Sequence, residues 1–147
     1  MNDDKYINMK VIASVKYVIQ QHSAKRAGEH YDLRIKYPFK NLAASWALPK
    51  SHFPEKTGER VLAIRTHDHG RYWLYIDKLD IPPGEYGAGY IKTIQGGKAL
   101  IYGWTNDHIT FYIKGRIATG RFSLIKFKSK ERKTNTWVLI KTKLQPD

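Results

Sequence analysis

Two histidines, one aspartate and one arginine stand within thirteen residues near the start of the chain: His22, His30, Asp32 and Arg34. If residues 30–36 form a β-strand, the alternation of side chains puts His30, Asp32 and Arg34 on one face. A catalytic divalent metal needs about three protein ligands and an open position, which His22, His30 and Asp32 would provide. The guanidinium of Arg34 would then face the anion that the metal binds, and its fork suits a phosphate.

These residues also allow a plainer interpretation. His30 and Asp32 would be an ordinary polar pair on a strand, and His22 a loop residue. An isolated His-x-Asp pattern favours this plainer interpretation. The arginine on the same face and the basic composition make the metal site about equally well supported.

A second pair of histidines, His67 and His69, shares a face by the same alternation. Either imidazole could serve as a phosphate contact, a general acid or a fourth metal ligand. Both could equally be solvated residues in a strand-to-turn connection. Lys50, directly after Pro49, is a candidate phosphate contact but is on its own no better than any exposed lysine.

Composition limits the possible chemistry and partners. The 147 residues contain no cysteine, so disulfides and thiolate metal sites are excluded and any metal must be held by nitrogen and oxygen. The formal net charge is +13 and aromatic residues make up 13% of the chain. Basic and aromatic side chains together favour nucleic acid as the partner, with an anionic surface or a merely basic protein as the alternatives.

Nothing in the sequence predicts export or a membrane segment. The first ten residues carry two aspartates where a signal peptide would carry basic and apolar residues. No apolar run approaches the roughly 18 residues needed to span a bilayer. We therefore expect a soluble, cytoplasmic protein with no membrane contact.

Ten segments alternate apolar and polar residues in the manner of short β-strands. Turn signals separate them, among them Gly96-Gly97 and the Pro/Gly-rich residues 81–89. No segment keeps a helical period over three turns, so an all-β barrel or sandwich in a single domain is predicted, with only short peripheral helices. Residues 1–13 would be an N-terminal arm and residues 126–133 a basic hairpin loop. The predicted strands are residues 14–20, 30–36, 44–48, 60–66, 72–76, 89–94, 98–104, 108–114, 121–127 and 136–141.

Several motifs in order resemble the 3'-phosphoesterase domain of bacterial DNA ligase D and its stand-alone relatives. They are HYDLR, SWALPK, HDH, IPPGEYGAG and the closing pair GRFSLIKF and TWVLIK, which together run from about Val18 to Lys141. Each motif is modest alone, and the ordered combination is fairly specific. The resemblance implies a small closed or partly open β-barrel of about eight strands with a concave active-site face.

The resemblance also implies roles for individual residues. It makes His22, His30 and Asp32 ligands of Mn²⁺ or another divalent metal, and Arg34 the phosphate-binding arginine. His69 would contact phosphate and help to stabilise the transition state. Secondary phosphate or nucleic-acid contacts would come from further polar positions, namely Gln20, Lys50, His67 and Tyr72.

The sequence departs from the family pattern at two places that matter. Seven residues separate His22 from His30 where the family usually has five, so a bulged loop is expected around Ala27-Gly28. The family's acidic residue two before the later histidine is His67 here. The family's following tyrosine is represented only loosely, by Tyr72 or Trp73.

The function that the resemblance implies is a manganese-dependent hydrolase that heals 3' ends in repair by non-homologous end joining. It would remove a 3'-phosphate, and a 3'-terminal ribonucleoside, from DNA or DNA/RNA primer-template ends. The sequence leaves the attacking group open, water or a vicinal 2'-hydroxyl. A monomer that works with a DNA ligase or polymerase is expected. The alternatives are a catalytically degenerate barrel that binds ends and recruits those enzymes, and a general RNA-binding barrel.

Overall fold

The computed structural model describes residues 10–26, 28–128 and 135–143, and the regular structure in these ranges is almost entirely β. Residues 1–9 of the expected arm and 129–133 of the expected basic loop lie outside the described residues. One 3₁₀ helix, Arg71–Tyr75, interrupts the strands. The strands are β1 (Ala13–Ala24), β2 (Gly28–Lys36), β3 (Leu42–Leu48), β4 (Arg60–Gly70), β5 (Lys78–Ile81), β6 (Gly89–Trp104), β7 (His108–Ile113), β8 (Gly120–Lys126) and β9 (Thr136–Thr142).

All nine strands belong to one antiparallel sheet in the order β1-β2-β3-β4-β9-β8-β7-β6-β5. A further pairing of β1 with β6 closes eight strands into a barrel-like ring, and β5 extends the sheet outside this ring. The prediction of an all-β protein with about eight barrel strands and little helix is confirmed. Among the described residues no helix has the length and apolar character needed to cross a bilayer.

The interior of the ring is the hydrophobic core, to which all eight strands contribute. Alternation along β2 shows how the sequence selects this arrangement: Leu33 and Ile35 are 0% exposed within the core, while Asp32 and Arg34 lie on the outer face. Large aromatic side chains fill the centre, including Trp46, Phe111 and Phe122. Because apolar side chains fill the interior, polar chemistry has to lie on the outside of the ring.

Two strand predictions were wrong in ways that affect the site. Residues 72–76 were predicted to be a strand, but they form most of the 3₁₀ helix. Both edges of β4 are already paired, with β3 and β9. The chain therefore turns back after β4 and buries Leu74 against Val18 and Ala43. The expected turn at Gly96-Gly97 lies within the single long strand β6. Gly96 allows close backbone approach there, since an added Cβ would lie 3.3 Å from the carbonyl oxygen of Tyr17. The short strand β5 was not predicted.

The first strand is longer than predicted, and this places a candidate ligand. β1 continues through His22 to Ala24, where the sequence indicated a polar connection from Ser23 onward. β6 runs alongside this extension, with His22 opposite Ile91 and Ala24 opposite Gly89. His22 is therefore held by strand neighbours on both sides.

Gly89 permits the close approach of β6 to the end of β1. Its φ is +142°, and a Cβ at this position would lie 2.1 Å from the carbonyl oxygen of Ser23. Backbone atoms cannot move aside as a flexible side chain could. Any larger residue would force the two strands apart next to His22.

We predict that Gly89→Ala severely destabilises the protein, by on the order of 4 kcal/mol, since it combines backbone strain with a clash. Gly84→Ala is the matched control: Gly84 also has a positive φ, +92°, but a Cβ there meets no atom within 4 Å. The control should cost only about 1–2 kcal/mol. Urea unfolding of both variants measures the difference, and equal losses would contradict the account.

Candidate metal and phosphate site

The β1-β2 hairpin places the candidate ligands opposite one another. His22 pairs with His30 and Gln20 with Asp32, and the regular register continues to Ala24 opposite Gly28. The expected bulge is therefore absent from the described part of this hairpin. The seven residues between the histidines keep them directly opposite each other and on one face.

His22, His30 and Asp32 form a compact donor set. One oxygen of Asp32 lies 3.2 Å from Nδ1 of His22, and the other lies 3.2 Å from Nε2 of His30. A ligand atom from each residue lies within 4.8 Å of the other two. Two imidazole nitrogens and one carboxylate oxygen are a donor set that fits a divalent transition metal. The three residues could therefore hold such an ion with further positions open.

The orientation of His22 is fixed by a loop. Its Nε2 lies 2.8 Å from the carbonyl oxygen of Gly87, in the turn before β6. A carbonyl can only accept, so Nε2 carries a proton, and Nδ1 is the nitrogen that faces Asp32 and would be the ligand atom for a metal. Gly87 itself has Cε1 of His22 3.5 Å from where a Cβ would lie, so the backbone and the imidazole are in close contact.

Arg34 is 3% exposed and is held on all sides. Its Nε donates to Oε1 of Gln20 at 2.8 Å, one terminal nitrogen donates to Oγ of Ser45 at 3.0 Å, and the other to Asp32 at 3.3 Å. The guanidinium also lies over the ring of Trp73, 4.8 Å from its centroid. Gln20 is in turn fixed by a bond to the Trp73 carbonyl oxygen at 3.0 Å. A phosphate would meet a guanidinium whose orientation is already set.

The charges in this cluster support one another. Burial opposes ionisation of Asp32, yet the hydrogen bonds with His22 and His30 and the charge of Arg34 hold the pKa of this carboxyl well below its ordinary value. The hydrogen bond with Asp32 raises the pKa of His30 against the effect of burial. Burial lowers the pKa of Arg34, and Asp32 partly offsets this. Asp32 is therefore an anion under all ordinary conditions.

A bulge in β4 brings the second histidine pair to the site. Ala43 pairs with His69 and Ser45 with Thr66, so two residues of β4 stand opposite one of β3. The rings of His67 and His69 stack with centroids 4.4 Å apart. Both line the same cavity as the donor set.

His69 contacts the arginine directly. Its Nδ1 lies 3.3 Å from a terminal nitrogen of Arg34 and 3.1 Å from Oγ of Ser45. Burial, the charge of Arg34 and the neighbouring His67 lower the pKa of His69 to about 4. Arginine can only donate, so His69 is a neutral imidazole at pH 7 with one nitrogen accepting.

Other residues singled out from the sequence have different positions. Gln20 is fully buried and positions Arg34. Lys50 is exposed just beyond β3 and does not line the cavity. Tyr72 is 59% exposed on the 3₁₀ helix and also stays outside the cavity, where the lining residue is its neighbour Trp73. A three-residue turn directs adjacent side chains to different sides, so only one of the two can face the site.

Sequence reasoning missed several residues that complete the site. Ser45 and Trp73 contact Arg34, Gly87 holds His22, and Tyr86 packs against His67 with ring centroids 5.1 Å apart. Ser45 lies in the SWALPK motif and alternates with Trp46 in β3, and Tyr86 and Gly87 lie in the IPPGEYGAG motif. Trp73 was named only as an alternative to Tyr72. The contacts of Trp73, Tyr86 and Gly87 join distant segments, so the motifs did not reveal their roles.

The cavity that contains these residues has a volume of about 930 Å³. Its floor is the outer face of β1 to β4, and its far wall is the loop at residues 83–88 with Trp73. Lys25 and Arg26 lie at the rim of the hairpin. The cavity is large enough for the end of a polymeric substrate as well as for one phosphate.

This fold and site define a class: a closed antiparallel ring with a His-His-Asp donor set and a buried arginine on its outer face. The family profile described as the DNA Ligase D 3'-phosphoesterase domain matches residues 20–126. The chain belongs to this family, as the sequence motifs indicated.

Known relatives carry the same domain within longer chains. The chain is 34% identical over 126 residues to the multifunctional non-homologous end joining protein LigD of Mycolicibacterium smegmatis, covering 78% of this chain. It is 31% identical over 135 residues to the corresponding proteins of Mycobacterium bovis and Mycobacterium tuberculosis, covering 89% of this chain. In each case the match spans only 16% of the relative's length.

We predict that His69 of the metal-free protein stays neutral until the pH approaches about 4. The unfolded chain takes up this proton near the ordinary pKa of about 6.5, so neutral His69 contributes stability above pH 6.5 that is lost as the pH falls towards 4. Imidazole NMR titration measures the pKa. Arg34→Gln should move it upward by removing the nearby charge, and a wild-type His69 that titrates near 6.5 would refute this electrostatic picture.

Proposed function

We propose that this chain is a metal-dependent phosphoesterase that removes 3'-terminal phosphates from DNA ends and leaves 3'-hydroxyls for repair. One observation carries the proposal: Asp32 links a metal-type donor set to a buried, oriented arginine within a cavity large enough for a nucleic-acid end. A phosphate monoester presents oxygens for both groups. Family membership supports the same reaction class.

The donor set would hold Mn²⁺ through Nδ1 of His22, Nε2 of His30 and the carboxylate of Asp32, and another divalent ion of similar preference could replace it. When bound, such an ion acts as a Lewis acid that withdraws charge from phosphate oxygens. The carboxyl of Asp32 needs no deprotonation to accept the ion, since its pKa is already low.

Arg34 and His69 would hold the remaining phosphate oxygens. Ser45 and Gln20 fix the plane of the guanidinium before the substrate arrives, so little reorganisation accompanies charge development. Neutral His69 can donate one N–H to an oxygen without repelling Arg34. Trp73 and Tyr86 line the cavity and would narrow it around the reacting group.

The substrate would be the 3' end of DNA or of a DNA strand with a terminal ribonucleotide. A net charge of +13 attracts the phosphate backbone, and Lys25 and Arg26 place part of this charge at the cavity rim. The relatives' names refer to non-homologous end joining, which requires 3'-hydroxyl ends for joining. A DNA ligase or polymerase that uses the healed end is the partner that this role implies. All the proposed residues come from one copy of the chain.

The second candidate function is binding of nucleic-acid ends without catalysis. It is favoured by His67, which stands where the family pattern has an acid. The nearby Asp68 does not replace that acid, because its carboxylate is already bound by the Tyr37 hydroxyl and by Arg65. Loss of one carboxylate would weaken a reaction that needs it and leave the positive cavity intact.

A direct test compares Asp32→Asn with His108→Ala. Asp32→Asn keeps the shape but removes the anion, so Mn²⁺ binding and turnover of a 3'-phosphate primer should fall at least about 100-fold. His108 is an exposed histidine outside the cavity, and its replacement should change neither. Calorimetric metal titration and gel analysis of the primer end give the two measurements. Wild-type protein that binds ends but shows no turnover with any divalent ion would support the second candidate instead.

We predict that Arg34→Lys lowers kcat by roughly 10²–10³-fold, since an ammonium keeps the charge but loses the fork held by Ser45 and Gln20. Metal affinity should change only a few-fold because no ligand is altered. Lys50→Ala provides the comparison: this exposed cation should affect only KM, and less so at higher salt. Steady-state kinetics with the 3'-phosphate primer distinguishes the two, and a purely KM effect of Arg34→Lys would contradict the positioning role.

A further inference from the structure

A second, smaller pocket lies at one end of the ring and shares no lining residue with the catalytic cavity. It lies where β2 and β6 end and β9 begins, and its volume is about 100 Å³. We call it the end pocket. Three of the four tryptophans of the chain line it, and the full lining is Tyr37, Trp46, Arg65, Trp104, Thr105, Asn106, Ile109 and Trp137.

The end pocket is associated with an unsatisfied donor. Trp46 is 0% exposed, and within the described residues its Nε1 is the buried side-chain nitrogen or oxygen that has no hydrogen-bond partner. Leaving such a group unpaired is costly, so native structures nearly always supply an acceptor. Nε1 itself is not exposed to the end pocket, which the Trp46 ring lines. A single water requires only about 10–15 Å³ of such space, so the pocket has room for a larger planar group.

Aromatic rings surround the pocket and continue onto the surface. Tyr37 and Trp104 lie with ring centroids 5.0 Å apart, and Trp46 and Trp137 at 5.5 Å. Phe39 packs edge-on against Trp104 at 6.4 Å and is 65% exposed. An exposed phenyl ring beside an aromatic pocket is a stacking surface for a planar group.

The charges at the pocket favour an anionic chain as the occupant. Arg65 lies over the ring of Trp46 at 4.8 Å, and Lys40 lies over Tyr37 at 4.3 Å. The acid in this region, Asp68, is bound by Arg65 at 2.8 Å and by the Tyr37 hydroxyl at 2.9 Å, and Nζ of Lys40 lies 4.0 Å from it, so two basic side chains face one acid. Asp68 also lines the catalytic cavity.

We propose that the end pocket binds one nucleobase of a single-stranded segment of nucleic acid, with a neighbouring base stacked on Phe39. The base packs against the rings of Trp46 and Trp104 that line the pocket, and the Asn106 amide can pair with the base edge. The ammonium group of Lys40 pairs with the phosphate next to this base. This inference rests on the proposed function for its substrate class, and adds a base-dependent contact outside the catalytic cavity.

The test measures binding of a single-stranded oligothymidylate with a 3'-hydroxyl, and of an abasic strand of equal length, by fluorescence anisotropy. Phe39→Ala and Trp104→Leu should weaken oligothymidylate binding on the order of tenfold, and should leave binding of the abasic strand unchanged. Tyr75→Ala is the matched control, because Tyr75 is equally exposed, at 67%, but lies on the 3₁₀ helix away from the end pocket. It should bind both strands as the wild type does. Phe39 is a surface residue, so its variant tests the idea even if Trp104→Leu fails to fold.

A second measurement follows the Trp46 indole proton by NMR during the oligothymidylate titration. A shift of this resonance that Phe39→Ala diminishes supports insertion of a base. An unmoved resonance, or equal affinity of wild type and Phe39→Ala for oligothymidylate, overturns the inference and leaves only water in the pocket. Turnover of the 3'-phosphate primer is scored separately, so an inactive protein with base-dependent binding refutes the proposed function alone.

Discussion

The carboxylate of Asp32 is the group on which the rest of the site depends. It is 6% exposed, and buried charge is tolerated only where partners replace the lost water. Here His22, His30 and Arg34 take the place of the lost water. The loop before β6 holds His22, and the β2 backbone holds His30. Side chains of β1 and β3 hold Arg34. Removing one partner from such a buried group typically costs about 3–5 kcal/mol, so the cluster is structural as well as chemical.

The position of the site follows from how the ring is filled. An eight-stranded ring has an interior just large enough for side chains, and here that interior is apolar. The outer face of β1 to β4 is therefore the surface where polar side chains can converge. It becomes a cavity only because the 3₁₀ helix and residues 83–88 stand above it. The strands fix the relative positions of the chemical groups, and the 3₁₀ helix and residues 83–88 enclose them.

Much of this arrangement could be predicted from alternation. Leu33 and Ile35 alternate with Asp32 and Arg34, and the structure places the first pair inside and the second outside. The effect of the hairpin's length could be judged only once the register was known. An added pair of residues keeps His22 opposite His30 on the same face, whereas a single added residue would move one of the two histidines to the other face of the sheet. The choice between Tyr72 and Trp73 could not be made from the sequence, because a five-residue aromatic run fits a strand and a 3₁₀ turn equally well. Its place is decided by Leu74, which packs against residues far away in sequence.

The bond between His22 and the carbonyl of Gly87 has a thermodynamic consequence. With the loop in place, Nε2 of the imidazole is engaged by the carbonyl and Nδ1 is directed at the donor set. If the loop moved away, both tautomers would become available and the ligand would lose part of its preorganisation. Ion binding and loop closure are then coupled equilibria, and by reciprocity each favours the other by the same factor. A substrate that contacts the loop would thereby tighten the hold on an ion that it does not have to touch.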